Sequence, residues 1–75
     1  MTRDEQLIEE LRQRDERFGA LYAAHQDYDR QLQRLVRKSY LTAAEELEEA
    51  RLKKLKLSLK DEMYVMLQEY ARSRN

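Results

Sequence analysis

Apolar residues recur through the first half of the chain at Leu7, Leu11, Phe18, Leu21, Tyr28, Leu32 and Leu35, with Arg14 and His25 completing an unbroken alternation of four and three. This is a heptad repeat over about four heptads, with Leu11, Phe18, His25 and Leu32 at a, and Leu7, Arg14, Leu21, Tyr28 and Leu35 at d. The second half continues the pattern with Leu52, Leu55, Leu59, Met63, Met66 and Tyr70. Thr2 stands three residues before Glu5, and Thr42 three before Glu45. Each pair has the form of a capping box: the Thr oxygen would take the amide of the third helical residue, and the Glu would reach back to the Thr amide. The pattern therefore predicts a helix over about 3–37, a turn over about 38–42 and a helix over about 43–72. Each helix would be about 45 to 52 Å long at a rise of about 1.5 Å per residue.

The connection through Lys38, Ser39, Tyr40 and Leu41 is short, and short connections make antiparallel neighbours. Charge agrees with that arrangement. Arg30, Arg34, Arg37 and Lys38 close the first helix and Glu45, Glu46, Glu48 and Glu49 open the second, each set suiting its own macrodipole. The expected fold is all-α, an antiparallel two-helix hairpin resembling a coiled coil, as one domain over 1–75. Folding at the turn gives facing layers: Tyr28 on Leu52, His25 on Leu55, Leu21 on Leu59, Phe18 on Met63, Arg14 on Met66 and Leu11 on Tyr70. Gly19, the one glycine, is expected to be tolerated within the helix at a cost of about 1 kcal/mol relative to Ala.

A second stripe remains on each helix. On the first it runs through Ile8, Asp15, Tyr22, Asp29 and Val36; on the second, Leu57, Tyr64, Leu67 and Ala71 share it with Lys53, Lys56 and Lys60. A hairpin buries only one face of each helix, and chains of about 70 to 80 residues rarely draw more than about 3 to 5 kcal/mol from a single core. A second chain is the natural cover, so Ile8, Tyr22, Val36, Leu57, Tyr64 and Leu67 form the candidate oligomer or partner face. The assembly expected is a homo-oligomer, with a dimer of hairpins as a four-helix bundle favoured. An unidentified protein is the other partner this face would suit.

Composition narrows the function. Of 75 residues, 40% are charged and 41% hydrophobic, the signature of amphipathic helices. Fifteen basic residues balance fifteen acidic ones, so no net positive field gathers phosphate or anionic lipid. Nucleic acid is thereby disfavoured as a partner. No apolar run reaches membrane-span length, so no membrane is expected, and a cytoplasmic location is the default. The chain contains no cysteine, which removes disulfides, thiolate chemistry and Cys-type zinc sites.

Two blocks, RFGALYAAHQDYDRQL over 17–32 and LKKLKLSLKDEMYVML over 52–67, resemble the small bacterial YdcH-like proteins. Phe18, Leu21, His25, Asp29 and Leu32 carry the first block; Lys53, Lys54, Lys56, Leu57, Leu59, Lys60, Asp61 and Glu62 carry the second. The resemblance implies a self-associating helical hairpin of the bacterial cytoplasm and no assigned activity. Leu55 and Tyr28 depart from it, where Glu or Gln and Leu respectively are usual.

Candidate chemistry is sparse. His25 and Asp29 lie four apart on one helical face, as metal ligands or a base and its orienter would, but one histidine and one carboxylate are too few for a closed metal site. A polar seam residue that sets register is the simpler role. Met63 and Met66 fall at core spacing, and no aromatic platform is interleaved with the lysines. No catalytic residue, metal or cofactor is expected, and the chain reads as a non-enzymatic structural or protein-interaction module. The alternative is a nucleic-acid- or ribosome-associated accessory protein using Arg30, Arg34, Arg37 and Lys38 at the hairpin tip.

Overall fold

The computed structural model describes residues 2–74 and contains, among them, helices and no strand: α1 (Arg3–Arg14), α2 (Glu16–Val36) and α3 (Ala43–Arg74). Met1 and Asn75, the end residues of the expected domain, lie outside the described residues. Both capping boxes form. Thr2 Oγ1 accepts from the Glu5 amide at 3.1 Å while the Glu5 carboxylate accepts from the Thr2 amide at 3.2 Å. The same reciprocal pair joins Thr42 and Glu45, at 3.1 and 3.0 Å.

The first half of the chain departs from the expected continuous helix over 3–37. Asp15 is extended, at φ −126° and ψ 113°, and separates α1 from α2. Its side chain accepts from the Phe18 amide at 3.0 Å, replacing the Arg14 carbonyl that an uninterrupted helix would offer. On either side the hydrogen-bond ladder closes: the Asp15 amide donates to the Leu11 carbonyl at 2.9 Å, and the Gly19 amide donates to the Asp15 carbonyl at 3.0 Å. Arg12 and Arg14 end α1 and Glu16 begins α2, so both new termini have favourable charges. Arg14 is exposed, and the d position expected of it does not exist.

The break also brings Gly19 against the end of α1. It lies in the first turn of α2, where a Cβ would stand 3.4 Å from the Arg12 carbonyl oxygen. In a straight helix those residues would be about 10 Å apart along the axis at 1.5 Å per residue.

The 32 residues of α3 run for about 48 Å, matching the 49 Å longest dimension of the molecule. The two shorter helices return beside it. Lys38 pairs with Glu45, Asp29 with Lys56, and Glu10 with Tyr70, so numbering falls on one side as it rises on the other. α2 and α3 are thus antiparallel. Toward the N-terminus of α1 a hollow opens between α1 and α3, lined by Arg3, Asp4 and Leu7 on one side and Tyr64, Leu67, Gln68 and Ala71 on the other.

The buried apolar residues are Leu7, Leu11, Phe18, Leu32, Leu52 and Met63, with Phe18 and Leu52 fully enclosed. Leu11, Phe18 and Met63 form one cluster at the junction of the three helices. Each such side chain contributes about 1.5–3 kcal/mol when fully buried, and the bend at Asp15 adds the half-buried Ile8 and Tyr22 to the cluster. Phe18 serves both: its amide anchors the break and its ring, fully enclosed, sits at the junction of the three helices.

Candidate interaction surface and the His25 cluster

Of the expected seam residues, Leu11, Phe18, Leu52 and Met63 are buried, while Leu21, His25, Tyr28, Leu55, Leu59 and Met66 are half-buried. Leu21 and Met66 pack on the Leu11–Phe18–Met63 cluster, as does Tyr70. The Tyr70 hydroxyl donates to Glu10 Oε2 at 2.8 Å, which pushes its pKa up, and Arg74 lies 3.1 Å from the same oxygen.

His25 is the polar member of the seam. Its Nε2 is enclosed and makes no hydrogen bond. Burial lowers the imidazole pKa below its ordinary value, Lys56 and Lys60 push it further down, and Asp29 opposes them. Asp29 does not hold the imidazole. Its carboxylate accepts from Lys56 Nζ across the helix pair, and from Gln33 Nε2 at 3.2 Å on its own helix. The hydrogen bond from Lys56 is the main reason the Asp29 carboxyl sits below its ordinary range. The aspartate-bearing stripe of the first half and the lysine-bearing stripe of the second therefore meet, at this pair, within one chain.

The six residues of the candidate face separate into two groups. Val36, Leu57 and Tyr64 are exposed to 70%, 59% and 63%. Ile8, Tyr22 and Leu67 are half-buried against the Leu11–Phe18–Met63 cluster. α1, turned at Asp15, supplies part of the cover. The Arg12 guanidinium stands 4.4 Å from the centre of the Tyr22 ring, whose hydroxyl accepts from Gln26 at 3.2 Å. Three further apolar residues are exposed and lay outside the expected faces: Tyr40 in the turn, Leu47 near the start of α3, and Val65. The small neighbours Ala43 and Ala50 of Leu47 were the available signal, masked by the surrounding glutamates.

At the tip, Lys38 pairs with Glu45 and holds that carboxyl below its ordinary range, while Arg30 lies 3.5 Å from Asp27. Arg34 and Arg37 are exposed. Among the described residues, no group of three or more His, Asp or Glu side chains could hold a metal ion. Nor, among them, is any helix long and apolar enough to cross a membrane.

These features define a small all-helical protein with a thin core and apolar side chains left on its outer face. The chain belongs to the family described as Protein of unknown function (DUF465), which matches residues 18–67. The match spans α2 and most of α3 and begins just beyond the break, leaving α1 outside it. No curated protein and no solved structure matches the chain.

Proposed function

We propose that the protein is a non-enzymatic, self-associating helical module of the YdcH-like kind, acting in the bacterial cytoplasm as a structural or protein-interaction element. The observation that carries this reading is the combination of a thin core with Val36, Leu57 and Tyr64 left largely in water. Exposed apolar side chains on one helical surface are what association would cover, and small domains commonly reach adequate stability by associating. The nucleic-acid alternative has weaker support. Lys38 and Arg30 at the tip already face carboxylates, and the chain has no net positive charge.

Sedimentation equilibrium at low and high salt tests the proposal. The expected result is a dimer at tens of micromolar that persists as salt rises, since apolar association does not depend on counterion release. A monomer throughout the range would overturn it. Nucleic-acid binding that weakens steeply with salt would instead favour the accessory role.

A further inference from the structure

α3 carries a second apolar pattern on the side facing away from the core. Starting at Leu47, a spacing of three and four runs through Ala50, Lys54, Leu57, Asp61 and Tyr64, and all six are exposed. The same spacing, followed back over Ala43, leads to Tyr40 in the turn. Tyr40, Leu47, Leu57 and Tyr64 are 88%, 74%, 59% and 63% exposed, and their order along the chain is a palindrome about Leu52. Leu47 and Leu57 are each five residues from that point, and Tyr40 and Tyr64 are each twelve. Such an arrangement has a simple complement, namely itself reversed. In a two-fold contact, residue i meets j and j meets i, so a palindromic stripe satisfies both copies at once.

Resting on the self-association reading above, we propose that the occupant of this face is a second copy of the chain, its α3 running antiparallel about a two-fold axis at the level of Leu52. Leu47 then packs on Leu57 of the second copy and Ala50 on Lys54, each contact occurring twice. Charge selects the same arrangement. The acidic stretch 45–49 lies against the lysine-bearing stretch 53–60 of the other copy, with Glu46 within a turn of Lys60. A parallel pairing would instead stack glutamates on glutamates and lysines on lysines. Near the axis, where like residues do meet, Arg51 is bound to Glu48 at 3.0 Å and Lys53 to Glu49 at 3.5 Å on their own helix. Their charges are offset before the copies meet.

The chain has no cysteine, so introduced thiols report cleanly. Positions 47 and 57 are about 15 Å apart along one helix, beyond disulfide reach, so a bridge between them must join two chains. The double variant Leu47→Cys with Leu57→Cys should oxidise to a covalent dimer. Each single variant should not, because each position lies about 15 Å from its own copy. Glu46→Lys should weaken association roughly tenfold, and adding Lys60→Glu should restore it. All of these positions are exposed, so circular dichroism should show an unchanged fold.

If the parent sediments as a dimer but the double variant gives no covalent dimer, or the single variants cross-link equally well, this register is wrong and self-association stands. If charge reversal at Lys60 fails to rescue Glu46→Lys, the antiparallel pairing is wrong. A monomeric parent overturns both the register and the reading beneath it.

Discussion

Replacing Asp15 with Ala asks what holds the chain bent between α1 and α2. The carboxylate accepts from the Phe18 amide at 3.0 Å, and losing such a cap costs about 1 kcal/mol, within a range of about 0.5–2. Ala opposes that loss, being a better helix former than Asp by up to about 0.7 kcal/mol, and it would favour fusing α1 and α2 into one rod. Packing decides between them. Straightening would take Ile8 and Tyr22 off the Leu11–Phe18–Met63 cluster and set Leu7, now 7% exposed, against the polar end of α3. Each is worth about 1.5–3 kcal/mol when buried, several times the propensity gain. The bend should therefore survive, and urea unfolding should show Asp15→Ala less stable by about 1 kcal/mol. Asp15→Asn keeps the acceptor and should lie close to the parent. Spin labels at Glu9 and Gln68 would report the position of α1 independently. An Ala variant more stable than the parent, with the labels moved apart, would mean that the cap and not the core imposes the bend.

His25→Leu removes an imidazole whose Nε2 has no partner, and it should stabilise the fold by about 1 kcal/mol at pH 7. Because the folded pKa of His25 lies below its ordinary 6.5, the parent is fully stabilised above that value and loses stability as pH falls through the folded pKa; the Leu variant should lack this phase. An NMR titration placing His25 above 6.5 in the folded state would refute the assignment. Gly19→Ala places a Cβ at ordinary contact distance from the Arg12 carbonyl, so thermal unfolding should show a gain of up to about 1 kcal/mol. Gly19→Leu, which needs room beyond that Cβ, should lose stability, and equal behaviour of the two would show that α1 does not approach there.

Local chemistry was readable without any fold. The two capping boxes depend only on residues three apart, and a Thr–Glu pair makes the same bonds wherever its helix is placed. The heptad pattern likewise picked out Leu11, Phe18, Leu52 and Met63, because a period of 3.5 states which face is apolar. It does not state that the axis is continuous. The alternation ran across Asp15 undisturbed and concealed a signal already present: Arg12 and Arg14 followed by Asp15 and Glu16, the same basic-to-acidic change that marks the tip. Whether Asp15 caps a new helix or sits exposed in an old one turns on what α1 gains by leaving the line, and that gain is tertiary. The same holds for Asp29 and Lys56. Separated by 27 positions, they could have met within one chain or between two, and only the placement of α2 against α3 made the bond internal. Side chains such as Ile8 and Tyr22, outward on any helical wheel, became half-buried against the core because the bend at Asp15 turned α1, and Ile8 with it, onto the start of α2. Sequence periodicity assigns faces to helices; which faces meet depends on where the axes go.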